Sequence, residues 1–466
     1  MRGLLFYCLL AVVAVAQETS RPTSAPDSRA TSRPVDRAAR IADAIRSEVE
    51  AIRGLSSAGA VKVGVYSVAE LRAFVERAFA RDLPPARLAA MSRSLKALDL
   101  IPANYDLGAG LLALLTEQIA GFYDPDTGEL RLVDRDPAEL MGDAAAGAAR
   151  ALTAKGVGLD EITMAHELVH ALQDGRFRLR SLPLDVVDDD DLVTASQALV
   201  EGDATVAMMA WTFFKSGVPA TQVFNPTVGR AAIGALDMDS LPGGKGLNDA
   251  PAWLRESLVF PYVGGMSFCL KIASEARSFA PVDRAFERPP LSTEQILHPE
   301  KYSGPKADPP QALGFPPLRT VLGEGWTEDA TNVLGELGFR TWLDAAPTGA
   351  SAAERRAIKR AAAAAAAGWD GDRFVLFGRP GDPDVLVLAS VWDSPEDAEE
   401  ARAAVVGRFP PLDLGLPQRI HVRAEGQDVY VVLGTDAETF DRLVEALRKD
   451  LRRTAKSVPV KQGQQK

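Results

Sequence analysis

The pentapeptide His166-Glu167-Leu168-Val169-His170 constrains the fold more than any other stretch of this chain. Histidines four apart project from one face of an α-helix, where two imidazole nitrogens reach one metal ion about 2 Å away without backbone distortion. Leu159 to Asp174 reads as that helix, with Asp160 and Glu161 in a first turn where the helix dipole favours negative charge. Only four histidines occur in 466 residues, and two of them fall in this H-E-x-x-H. Glu167 is displaced round the helix towards the open coordination position, where a carboxylate can take a proton from a water activated by the metal. The spacing therefore predicts a zinc site with its own general base, and peptide-bond hydrolysis as the chemistry.

A tetrahedral catalytic zinc needs a third protein ligand. Two candidates follow the motif. Glu201 sits in the apolar segment Leu192 to Phe214, where a carboxylate is costly unless paired or metal-bound. His298, in Ser292 to Tyr302, is the alternative ligand; with Glu201 in that place it becomes an oxyanion donor, and Tyr302 competes for the same role. Asp203 could orient a ligand histidine, but two residues from Glu201 it faces away on a regular helix. His421 falls on an expected strand remote from the motif and reads as structural.

The start of the chain bears on its compartment. Arg2, the apolar run Leu4 to Val15 and Ala14-Val15-Ala16 fit a secretory signal peptide over residues 1–16, too short for a membrane span. Residues 17–36, rich in Ser, Thr, Pro and Arg, repeat Thr-Ser-Arg-Pro at Thr19 and Thr31 and read as a tether. An extracytoplasmic protein, secreted or periplasmic, with no stable membrane span after cleavage is the expectation. Once Cys8 is removed, Cys269 is the sole cysteine, so no intramolecular disulfide can form. A formal charge of −11 argues against nucleic acid and anionic membranes as partners; the partner expected from the H-E-x-x-H is a peptide or protein substrate.

A predominantly helical α+β fold in two units is expected. The first, residues 37–308, begins with a strand at Val61 to Ser67 and helices at Val68 to Ala80, Pro84 to Leu98 and Leu107 to Ala120. A hairpin at Gly121 to Val133 follows, turning at Asp124-Pro125-Asp126-Thr127-Gly128. Asp185 and Asp188 to Asp191 lack the ligand alternation of a calcium loop and read as a solvated loop. Trp253 to Ala276, interrupted by Pro261 and two glycines, reads as a buried interior helix. The second unit, residues 309–466, shows a ββαββα order, with strands at Arg373 to Phe377, Val385 to Val391, Arg419 to Arg423 and Val429 to Leu433. Helices at Pro395 to Val406 and Ala437 to Leu451 are expected on one face of its sheet.

On His166, Glu167, His170 and Glu201 the chain resembles the gluzincin branch of zinc peptidases. That resemblance implies His166, His170 and Glu201 as zinc ligands, Glu167 as general base, and a zincin-like core in which a sheet edge aligns an extended peptide beside the metal. It departs from the thermolysin-like pattern at Thr205, where an acidic residue would stand four after the glutamate. The metzincin signature is absent, with Gln173 at the glycine position. With Glu117 to Pro125, Ala198 to Ala204, Phe260-Pro261-Tyr262 and Ser292 to Tyr302, the chain also looks like a group of largely uncharacterised secreted bacterial proteins, over Val61 to Tyr302. Together these readings imply a zinc endopeptidase. The competing class is a non-catalytic extracytoplasmic zinc-containing binding or assembly protein; the intact Glu167 favours the enzyme, since a structural zinc needs no base.

Overall fold

The computed structural model describes residues 34–57, 59, 61–135, 152–154, 156–235, 245–345, 349–409 and 420–459. The expected signal peptide, Cys8 and residues 17–33 of the expected tether lie outside them. The tether was expected to run to Asp36, but helix α1 already spans Pro34–Arg53. Pro34 suits a first helical position because the proline ring presets φ and the missing N–H has no intrahelical acceptor there. Ala38, Ala42, Ile45 and Val49, spaced three or four apart, are buried along one face.

Strand β1, Lys62–Tyr66, is followed by α2, Val68–Asp82, whose start is fixed by a reciprocal Ser67–Glu70 capping box. Helices α3, Pro85–Ala97, and α4, Leu107–Gln118, lead to the hairpin β2, Gly121–Asp124, and β3, Glu129–Val133. The turn closes through the Gly128 N–H donating to the Asp124 carbonyl at 2.8 Å, with Gly128 at φ +67°. β1 joins parallel to β3, giving a three-stranded sheet in the order β1-β3-β2.

Two long helices form the centre of the first half: α5, Leu159–Phe177, and α6, Asp190–Lys215. The Glu161 carboxylate accepts from the Gly158 N–H at 2.9 Å and fixes the start of α5. α6 is buried on almost every face, as a helix apolar all round should be. Against it lies α7, Ala252–Ala273, the interior helix foreseen at Trp253 to Ala276. Their backbones touch: a Cβ on Gly265 would come 1.9 Å from the Ala198 carbonyl oxygen, and one on Gly202 would come 2.1 Å from the Gly265 carbonyl carbon. Only glycine permits that approach. Among the described residues no helix is long and apolar enough to cross a membrane. Cys269 is buried in this interface, consistent with a small core residue.

The acidic stretch before α6 is not simply solvated. The Asp189 side chain accepts from the Leu192 N–H at 2.9 Å and caps α6, and buried Asp191 accepts from the Thr293 N–H and hydroxyl at 2.9 and 2.6 Å. Lys456 Nζ lies 3.0 Å from Asp189 and 3.1 Å from Asp191. These carboxylates are paired because the tail of the chain returns to them, a long-range contact that no local pattern announces.

Helix α8, Thr293–Leu297, precedes β4, Gln311–Gly314, and the second half of the chain. There β5, Thr327–Asn332, α9, Gly335–Leu343, and α10, Ala352–Ala366, lead into β6, Trp369–Gly378, β7, Val385–Trp392, α11, Pro395–Arg408, β8, Ile420–Glu425, β9, Asp428–Leu433, and α12, Ala437–Asp450. The expected ββαββα order is present, within an antiparallel sheet ordered β5-β6-β7-β9-β8. Arg419, the foreseen start of β8, lies outside the described residues. β10, Arg452–Ala455, pairs antiparallel with β4.

The two helices do not share a face. Leu386, Leu388, Val429 and Val431 pack with Ala398, Ala401 and Val405 of α11. The alternate residues Val385, Val387, Tyr430 and Val432 pack with Leu443, Val444 and Leu447 of α12. Both faces of the sheet are covered, and β7 is accordingly buried along its whole length. The α11 face also merges with Leu71, Leu111, Phe122 and Leu254 of the first half into one apolar cluster. The chain is thus an α+β protein, mostly helical.

Candidate metal centre

α5 and α6 cross so that His166, His170 and Glu201 converge. His166 Nε2 lies 3.1 Å from Glu201 Oε2 and 3.1 Å from His170 Nε2, and His170 Nε2 lies 3.4 Å from Glu201 Oε2. A tetrahedral ion with bonds of about 2.0 to 2.1 Å separates its ligand atoms by about 3.3 Å, so this triangle has the size that zinc requires. Two imidazoles and one carboxylate are also the donor set that zinc accepts. Among the described residues this is the one group of three or more His, Cys, Asp or Glu side chains placed to hold a metal ion.

A chain of hydrogen bonds fixes the orientation of His170. Gln173, one turn further along α5, donates from Nε2 to the Val200 carbonyl at 3.0 Å and to Asp203 Oδ2 at 2.8 Å. Both amide hydrogens are thereby committed, so Oε1 faces His170 Nδ1 at 2.8 Å and accepts its proton. Nδ1 carries the proton given to Gln173, which leaves Nε2 as the nitrogen turned to the centre. Asp203 is held in turn by Arg53, the last residue of α1, whose Nε lies 2.8 Å from Oδ1; Arg53 Nη2 reaches Asp283 at 2.6 Å, and the guanidinium lies over the Phe279 ring.

Asp203 does point away from Glu201, as helical spacing demands. The long Gln173 side chain spans the difference, so Asp203 acts on His170 through Gln173. Gln173 was noted in the sequence only for what it is not, a metzincin glycine. Its position three residues after His170, on the same helical face, was the available signal.

Burial opposes a charged His170, but Glu201 and then Glu167 outweigh it and raise its pKa to about 9. Burial likewise works to raise the pKa of Glu201, and the two histidines overcome it and hold the carboxylate at about 2. The centre stabilises positive charge between its three side chains. A metal ion bound there would take the place of the proton on His170 Nε2. Glu167 stands next to His166 on α5 and is fully buried, as is His170; His166, 5% exposed, and Glu201, 1% exposed, are little more open. The Tyr262 ring of α7 lies beside His166, with centroids 6.2 Å apart.

His298 is placed elsewhere. It follows α8, its N–H donates to the Glu294 carbonyl at 2.7 Å, and its Nε2 lies 3.0 Å from Glu336 Oε1 on α9. Glu336 is buried and is also held by Arg340, so His298 serves an ion-pair cluster of the second half and is not among the three converging ligands. The Tyr302 hydroxyl donates to the Arg288 carbonyl at 2.7 Å. His421, on β8, lies with Nε2 3.1 Å from the Thr435 carbonyl oxygen and stacks on Phe440, in keeping with a structural role.

Residues 320–444 match a family described as a domain of unknown function (DUF8575), which takes in all five strands of the second-half sheet and none of the metal-site helices. No curated protein matches the chain. Among solved structures, a chain described as "a putative hydrolase with a novel fold" from Chloroflexus aurantiacus is similar over 59% of this chain and 91% of its own length, at 16% identity and a TM-score of 0.34.

Proposed function

We propose that this chain is an exported, zinc-dependent hydrolase of peptide bonds, with His166, His170 and Glu201 as ligands and Glu167 as general base. The observation that carries the reading is the triangle of two imidazole nitrogens and one carboxylate oxygen, its edges 3.1 to 3.4 Å, on a helix that also bears Glu167. A zinc ion bound there supplies Lewis acidity, polarising a carbonyl and bringing the pKa of a water towards 7. Glu167, one residue from His166, takes the proton of the attacking water and passes it to the leaving amine. Gln173 and Asp203 keep His170 in the tautomer that offers Nε2. The zincin-like core, with β2 as the edge strand that aligns the peptide, belongs to this proposal.

One observation favours the competing reading, a zinc-containing binding or assembly protein: Glu167 and His170 are fully buried, so substrate must approach from the His166 side. The experiment is hydrolysis of a fluorogenic peptide library by the mature, zinc-loaded protein. Cleavage abolished by chelation and restored by zinc supports the hydrolase; metal-loaded protein that cleaves no peptide supports the competing reading.

A further inference from the structure

A cavity of about 450 Å³ opens between the two halves of the chain, on the same pair of helices that carries Glu201 and Tyr262. Its floor is apolar, built by Met91, Leu95, Trp253, Leu337 and Phe374. Carboxylates line it from three places: Asp188, Asp190 and Asp191 at the start of α6, Glu256 on α7, and Glu328 with Asp329 on β5; Lys456 answers Asp191. Among the lining residues Arg87 is the one cation, and its guanidinium donates to the Asp82 and Val187 carbonyls at 3.3 and 3.0 Å.

The carboxylates are unequally answered. Asp329 pairs with Arg93, and Glu256 lies 3.2 Å from Lys359. Asp190 accepts from the neutral Asn332 amide at 2.7 Å. Burial pushes the Asp190 and Glu256 carboxyls above their ordinary range, the response of acids whose charge is incompletely compensated. A cavity with an apolar floor and carboxylates on three sides suits a ligand with an aliphatic stem and a cationic head.

We infer that this cavity binds the side chain of an arginine or lysine, its stem over Trp253 and Phe374 and its head between Asp190 and Glu256. Thr194, which lines the cavity, precedes Glu201 by seven residues on α6, about 10 Å along the axis. That is the span of about three residues of extended chain. The cavity therefore selects a basic residue two or three positions from the bond cleaved at the metal centre. This role rests on the peptide-hydrolase reading; the cation site itself does not.

The test is calorimetric titration of the mature, zinc-loaded protein with agmatine, a guanidinium on an aliphatic stem, beside the neutral butylurea. Agmatine is expected to bind one per chain and butylurea not to bind. Glu256→Gln and Asp190→Asn should each weaken agmatine by about tenfold or more, and the exposed Glu328→Gln, with a smaller loss in the same direction, keeps the comparison available if a buried variant fails to fold. His166→Ala with His170→Ala should leave agmatine affinity unchanged. No agmatine binding, or binding indifferent to every carboxylate substitution, overturns the site. Peptide cleavage with no preference for a basic residue at those positions overturns its role. Agmatine binding in a protein that cleaves no peptide leaves the cation site standing and removes the hydrolase reading.

Discussion

Replacing Glu167 by glutamine is expected to leave zinc bound and to lower peptide hydrolysis by about 10²- to 10⁴-fold, the usual contribution of a general base. The amide keeps the size of the side chain and stays beside His166, so His166, His170 and Glu201 retain their triangle. What it lacks is a basic oxygen to accept the proton of the attacking water. Metal content by mass spectrometry and initial rates on the same preparation separate the two effects. A variant that loses zinc would assign Glu167 to holding the site, and a variant with undiminished rate would remove it from the reaction.

The second large effect is at Arg53, 150 residues before Asp203 in sequence. Its side chain is fully buried, lies between Asp203 and Asp283, and is the cation that answers Asp203 inside the core. Arg53→Ala leaves that carboxylate buried without a counter-charge, and breaking such a pair from one side costs about 3 to 5 kcal/mol. The loss should reach the metal centre as well. Asp203 is one of the two acceptors that fix Gln173, and Gln173 fixes His170, so zinc affinity should fall by about 10- to 100-fold. Urea unfolding of the metal-free protein gives the first quantity and competition with a chromophoric chelator gives the second. Asp203→Asn in the Arg53→Ala background should recover part of the stability, because the uncompensated charge is gone. A cost below about 1 kcal/mol would mean that water enters and screens this network.

Much of the candidate site is legible in the sequence because it is local. His166 and His170 are one turn apart, and their relation needs only the helix. Glu201 is found by a different rule, a charge in a segment otherwise too apolar to tolerate one. Four strands and two helices of the second half are legible from their runs and turns, in the order β6, β7, α11, β8, β9, α12; β4, β5, α9 and β10 are not among the expected elements.

What escapes is what packing alone decides. Gln173 and Asp203 meet because α5 and α6 cross there, and Arg53 reaches them from the end of α1, a helix with no counterpart among the expected elements. The placement of α11 and α12 on opposite faces of the sheet depends on whether both faces of β7 are buried. Its apolar run, Val385 to Ala389, carried that information, yet a run cannot name the helix that covers each face. His298 shows the converse. As one of only two histidines outside the motif it invites a role as third ligand or oxyanion donor, but its Nε2 lies 3.0 Å from buried Glu336.

In the proposed centre His166, His170 and Glu201 hold one zinc ion. This is tested most directly by the metal content of purified mature protein, wild type beside a His166→Ala, His170→Ala double variant. The account predicts about one zinc per wild-type chain and none in the double variant. No zinc in the wild type after incubation with excess metal, or equal zinc in both proteins, would contradict it.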